Sequence, residues 1–148
     1  MTIENYVKTG KIAAEVREMV RVKDWIGKTV YEICEEVENE IRKRGAKCAF
    51  PVNASINEIA AHYTAEPNDP ITIKDTDLVK IDLGAQIDGY IADTAVTVCY
   101  YAQFDGLVQA AQDALGSAMS MIKTGVKASD IGRTIETTIK QMGFKPIA

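Results

Sequence analysis

The sequence predicts an α+β fold of about one and a half helix–helix–sheet repeats. Three observations carry this: two amphipathic helical segments open the chain, a long β-hairpin follows them, and two further helical segments echo the first pair. From Ile3 to about Lys23, Ile12, Val16, Met19 and Val20 recur at helical spacing. From Val30 to Arg44 the set Val30, Ile33, Val37 and Ile41 does so more cleanly. Thr29 with Glu32 three residues later forms a capping-box pattern, and Gly45 after Arg42, Lys43 and Arg44 reads as a glycine stop. Arg42 to Arg44 with Lys47 could be taken for a basic patch. Cations in a last turn offset the helix dipole, however, and Glu38 and Glu40 stand four residues ahead of Arg42 and Arg44.

Beyond Gly45 the character changes to short apolar runs and turn residues, from Ala46 through Phe50, Pro51, Asn53, Asn57, Pro67, Asn68, Asp69 and Pro70, which predicts strands and loops. Leu78–Ile87 and Tyr90–Tyr100 then alternate, separated by Asp88 and Gly89, a strong two-residue hairpin signal. Helical spacing returns with Leu107, Ala111, Ala114, Ala118 and Met121, and again with Ile131, Ile135, Ile139 and Met142.

A shift of 98 residues lays Gly27–Phe50 over Gly125–Ala148 with six identities in 24 positions, pairing Gly27 with Gly125, Ile33 with Ile131, Glu38 with Glu136, Ile41 with Ile139, Gly45 with Gly143 and Lys47 with Lys145. Identities confined to one helical face and its glycine boundaries suggest an internal repeat. Residues 1–103 then form a first αα-β repeat and residues 104–148 the helices that open a second. Ala148 falls opposite Phe50, so the chain stops where the second copy's strands are expected to begin.

A chain of 148 residues, 47% apolar and 26% charged, has the composition of an ordinary globular domain. Its net charge of -4 argues against nucleic acid or an anionic membrane as the main partner. Cys34, Cys48 and Cys99 form an odd set without CxxC spacing, which points to a reducing compartment, the cytoplasm, rather than to disulfides or a thiolate zinc site. Met1–Tyr6 has no secretory pattern, and no run of about 18 apolar residues suits a membrane span.

The chemistry lies in the hairpin. With Asp88 and Gly89 as its loop, Gly84 faces Asp93 and Asp82 faces Ala95. Alternation then puts Leu78, Lys80, Asp82, Gly84 and Gln86 on one face with Ile91, Asp93, Ala95 and Thr97, and gives Val79, Ile81, Leu83, Ala85, Ala92, Val96 and Val98 to the core face. Asp82 and Asp93 are diagonal neighbours about 5.5 to 8 Å apart at the backbone. Two carboxylates about 6 Å apart at an effective dielectric near 20 repel by roughly 3 kcal/mol, so a compensating charge is expected. Divalent cations suit such hard oxygens, and Gly84 across from Asp93 is expected to leave room for them. Either the pair is a metal centre or it faces water on the wet side of the sheet. Two carboxylates are too few to enclose an ion, and further ligands must come from elsewhere. His62 is the single histidine. The absence of GxSxG, P-loop and GxGxxG patterns removes serine hydrolase, kinase and dehydrogenase readings.

Phe50–Thr64 (FPVNASINEIAAHYT) and Leu78–Val98 (LVKIDLGAQIDGYIADTAVTV) resemble the methionine aminopeptidases of the type 2, archaeal-like class, and the likeness runs the length of the chain. The resemblance implies the pita-bread fold, two αα-β repeats about a pseudo-two-fold axis, of which this chain corresponds to the N-terminal half. It implies two divalent metal ions of the Co, Mn, Fe or Zn class, with Asp82 a bidentate ligand of one and Asp93 bridging both. His62 would contact the substrate near the scissile bond, and Phe50 would wall the pocket for the methionine side chain. The implied reaction is removal of the initiator methionine from nascent proteins. No position here matches the one histidine and two glutamates that complete the family's metal pair, so the chain alone is expected to bind metal weakly and to turn over no substrate. The partners implied are peptides beginning with Met, together with the missing C-terminal half or a second copy of this chain. Other readings are a non-catalytic binding module on the same fold, a self-associating half-fold, and a prolidase-like enzyme. Retention of both aspartates disfavours the first of these, and the AAHYT segment the last.

Overall fold

Helix α1 (Ile3–Val22) buries Thr9, Ile12, Ala13, Val16 and Val20, and helix α2 (Val30–Lys43) buries Val30, Ile33, Cys34, Val37 and Ile41. These are the stripes that the helical periodicity marks. At the start of α2 the capping box is complete: Glu32 donates its backbone N–H to Thr29 Oγ1 at 3.1 Å, and Glu32 Oε2 accepts the Thr29 N–H at 2.8 Å. At its end the Ala46 N–H reaches the Ile41 carbonyl at 3.3 Å and the Gly45 N–H reaches Arg42 at 3.0 Å, with Gly45 at φ +82°. Such a left-handed turn is unfavourable for any residue carrying a Cβ. The basic last turn is an ion-pair cluster, with Arg42 on Glu38 and both Lys43 and Arg44 on Glu40.

These coordinates come from a computed structural model that describes residues 3–147, and the chain parts into two units between Tyr100 and Tyr101. In the first unit, four antiparallel strands, β1 (Lys47–Cys48), β2 (Asn53–Ile56), β3 (Leu78–Ile87) and β4 (Tyr90–Cys99), form one sheet. Strand β3 pairs with β4 along its whole length on one side and with β1 and β2 on the other. The β3–β4 register runs from Leu78 opposite Cys99 to Ile87 opposite Tyr90, as a two-residue Asp88-Gly89 loop requires. Val79, Ile81, Leu83 and Ala85 are fully shielded in one core with the inner faces of α1 and α2. Full burial of each Val, Ile or Leu side chain stabilises the fold by roughly 1.5 to 3 kcal/mol, so this core fixes which face of β3 turns outward.

The connection between α1 and α2 is pinned by Trp25, which is fully buried. Its Nε1–H donates to the Val20 carbonyl at 3.0 Å, and its backbone N–H donates to the Tyr100 hydroxyl at 2.7 Å. Ile71 and Ile73 stitch the long loop before β3 to residues 27–30 by backbone hydrogen bonds of 2.9 Å.

The second unit holds α3 (Asp105–Met121) and α4 (Ala128–Gln141). Helix α4 begins and ends 98 residues after α2, and the flanking glycines match in conformation, Gly27 and Gly125 at φ +82° and +88°, Gly45 and Gly143 at +82° and +85°. The echo in the sequence is therefore an echo in backbone geometry. Ala148, opposite Phe50 in that offset, lies outside the described residues, as do Met1 and Thr2. Helix α3 keeps Ala114 and Ala118 of its expected stripe buried, but Ala110 joins them, whereas Leu107 and Ala111 are exposed. A stripe of alanines at i, i+4 is masked in sequence by the bulkier residues beside it.

Candidate metal centre

Asp82 on β3 and Asp93 on β4 project from the sheet face opposite the core, with Gly84 facing Asp93 and Asp82 facing Ala95. Asp82 is half-buried and Asp93 exposed. Burial first, and then the charge of Asp93 and a hydrogen bond shared with its carboxyl, hold the Asp82 pKa above the ordinary aspartate value. The His62 charge and the Leu83 N–H act in the opposite sense. The two carboxyl groups leave adjacent strands on the same sheet face, and such a pair of hard oxygens suits a divalent cation. Among the described residues no group of three or more His, Cys, Asp or Glu side chains gathers to hold a metal ion. The donors present fit part of a coordination shell and not a whole one.

The space above Gly84 is filled. A Cβ built on Gly84 would lie 2.4 Å from Phe50 Cε1, so the expectation that this glycine leaves room for a metal is corrected: the Phe50 ring occupies that room. The ring is carried there by the loop between β1 and β2. The Ala49 N–H donates to the Gly84 carbonyl at 2.8 Å, and the Val52 N–H donates to Glu38 Oε1, on α2, at 3.2 Å. Phe50 is therefore held from both sides against the strand that bears Asp82.

His62 sits in the loop after β2, exposed and at φ +65°, a left-handed conformation uncommon for any residue but glycine. Asn57 anchors the start of that loop: its backbone N–H donates to the Leu78 carbonyl at 2.9 Å, its Oδ1 accepts the Leu78 N–H at 3.0 Å, and its Nδ2 donates to Asp77 Oδ1 at 2.9 Å. Lys80 Nζ donates to the Asn57 carbonyl at 2.6 Å. The far end returns to β2, where the Ala54 N–H donates to the Tyr63 carbonyl at 2.8 Å, the Tyr63 N–H to Ser55 Oγ at 3.2 Å, and the Thr64 hydroxyl to Asn53 Oδ1 at 3.0 Å. Asn53 itself stands opposite Asp82 in the β2–β3 register. The loop is folded back on β2, the strand paired with the one that bears Asp82.

Sequence reasoning missed the residues that build this frame, namely Glu38, Asn53, Ser55 and Asn57. A signal existed: Val52, Ala54 and Ile56 alternate with Asn53, Ser55 and Asn57, a period-two pattern that places Asn53 and Ser55 on the face shared with Asp82. None of the three cysteines forms a disulfide; Cys34 is buried, and Cys48 and Cys99 are half-buried.

Residues 4–147 match the model of metallopeptidase family M24, and the chain belongs to that family. It is 48% identical over 147 residues to a methionine aminopeptidase of Pyrococcus abyssi, covering 99% of this chain and 50% of that protein. It is 46% identical over 151 residues to one of Methanocaldococcus jannaschii, covering 100% and 51%. The crystal structure of a methionine aminopeptidase from Thermotoga maritima superposes with a TM-score of 0.87 at 28% identity, over 98% of this chain and 63% of that one. The chain thus has the pita-bread fold of the family, and it spans about half the length of the curated relatives it matches. Among the described residues no helix is long and apolar enough to cross a membrane.

Proposed function

We propose that the chain supplies one half of a methionine aminopeptidase active site, acting on peptides that begin with methionine in the cytoplasm. The observation that carries this reading is the convergence of Asp82 and Asp93 on one sheet face in a chain of family M24. Asp82 and Asp93 would hold divalent ions, two of them and of the Co, Mn, Fe or Zn class, and ions bound there would supply an activated water and polarise a peptide carbonyl. The other ligands would come from outside residues 3–147, among which no group of three or more His, Cys, Asp or Glu side chains gathers. His62, beside Asp82 on an exposed loop, donates or accepts a hydrogen bond at the scissile amide. Phe50, packed on Gly84, offers an apolar wall suited to an unbranched thioether side chain.

The chain by itself is a weak metal binder without sustained turnover, with residues 1–103 as a first αα-β repeat and residues 104–148 as helices of a second. Retention of both carboxylates favours the enzyme over a binding module on the same fold, since a cleft used only for docking has no need of two repelling charges. Calorimetric titration with Mn2+ tests the centre. Binding by the wild-type chain that disappears in both Asp82→Ala and Asp93→Ala is expected, and binding that survives in both returns the hairpin to plain scaffold. Chelator-sensitive hydrolysis of a fluorogenic Met-peptide by the chain alone would overturn the view that it is catalytically incomplete.

A further inference from the structure

Ser55 is among the few polar side chains sealed from solvent, with 1% of its surface exposed, although it lies on the same face of β2 as Asn53. In an ordinary antiparallel pair the Tyr63 N–H would return to a strand carbonyl after the Ala54 N–H has reached the Tyr63 carbonyl. It turns instead to Ser55 Oγ at 3.2 Å. The cause is local. His62, immediately before Tyr63, is at φ +65°, which swings the intervening peptide away from the strand, and the serine hydroxyl reaches out to accept the displaced N–H. A left-handed non-glycine residue costs on the order of 1 kcal/mol or more and persists only where its surroundings over-determine it. Here the surroundings are the Ala54–Tyr63 bond, the Thr64–Asn53 bond and this serine.

We infer that Ser55 is a positioning residue for His62: by accepting the Tyr63 N–H it locks the peptide that follows the histidine and so aims the imidazole at the Asp82 side of the sheet. The inference rests on the proposed role of His62 at the substrate and names the group that sets its direction. Alanine at position 55 would leave the half-buried Tyr63 N–H without its partner and relax the left-handed turn, whereas threonine would keep a hydroxyl at the same place.

His62 is the single histidine of the chain, so its ring gives one resolved signal in a proton–carbon correlation spectrum. The experiment compares the wild-type chain, Ser55→Ala and Ser55→Thr, each with and without Asp82→Asn, at one fixed pH, with melting curves recorded alongside to show that each variant is folded. In the wild type, Asp82→Asn is expected to displace the His62 signal. Ser55→Ala is expected to move that signal toward its random-coil position and to abolish the response to Asp82→Asn, and Ser55→Thr to restore the response. A folded Ser55→Ala protein in which the His62 signal still responds to Asp82→Asn as in wild type overturns the inference and leaves the role of His62 standing. A wild-type His62 already at the random-coil position and indifferent to Asp82→Asn overturns both. If Ser55→Ala does not fold, Ser55→Cys, with a weak acceptor of similar size, takes its place, and an unchanged response there overturns the inference equally.

Discussion

The ring of Phe50 lies in the volume that a side chain on Gly84 would need, with Phe50 Cε1 2.4 Å from the ideal Cβ position. Gly84 is also the residue opposite Asp93, so an aromatic wall and a converging pair of carboxylates share one stretch of strand. Gly84→Ala is expected to displace the ring and to destabilise the protein by about 1 to 3 kcal/mol through overpacking. Urea denaturation measures the loss. Adding Phe50→Leu, which removes the clash, should return much of it, and a double variant no better than the single one would contradict a steric cause.

The raised Asp82 pKa has a defined sign. A carboxyl whose pKa is higher in the folded than in the unfolded state stabilises the fold fully below its unfolded pKa, and that contribution is lost as pH rises through the folded pKa. At neutral pH the ionised pair is therefore a net cost in the metal-free protein. Asp93→Asn removes the second cause of the shift and should raise the melting temperature of the apo chain at pH 7. The gain is small because Asp82 is partly open to solvent, and it vanishes in acid. The same variant should lose Mn2+ binding. Stability and metal affinity moving in opposite directions is the signature of a functional charge pair.

Cys34 behaves as a core residue. Its thiol donates to the Val52 carbonyl at 3.3 Å, and burial pushes its pKa up to about 11. It should resist iodoacetamide at pH 7.5 in the folded chain and react once urea unfolds it. The stability tied to this thiol is present below its ordinary pKa near 9 and falls away as pH rises toward 11. Cys34→Ala should flatten that part of the pH–stability profile, and an unchanged slope would show that other groups produce it.

Glu38 connects a helix to the loop that carries Phe50. Glu38→Ala leaves the Val52 N–H without its acceptor and should cost about 1 to 3 kcal/mol, whereas Glu38→Gln, which keeps a carbonyl oxygen within reach, should cost much less. Chemical denaturation of the two variants separates the lost hydrogen bond from the lost ion pair with Arg42. Equal losses would assign the effect to charge alone.

Periodicity, capping residues and the Asp88-Gly89 turn sufficed to place the helices, the hairpin and its register, because each depends on interactions within a few residues or across one tight turn. The register in turn puts Asp82 and Asp93 on one face, since alternation along paired strands leaves no other arrangement. The 98-residue echo likewise showed in sequence what α2 and α4 repeat in backbone geometry.

Three things were decided by tertiary structure. Phe50, more than thirty residues from Gly84 in sequence, fills the space above it. Ser55 and Asn53 take up the end of the His62 loop, and Glu38 holds the loop that carries Phe50. In α3 the buried stripe starts at Ala110 and leaves Leu107 exposed, while Ala114 and Ala118 keep the places their spacing gives them. The physical reason is common to all three: a residue's own neighbours determine its backbone preference and its face, but which atoms fill a gap or satisfy an orphaned N–H depends on segments that only the folded chain brings within a few ångströms.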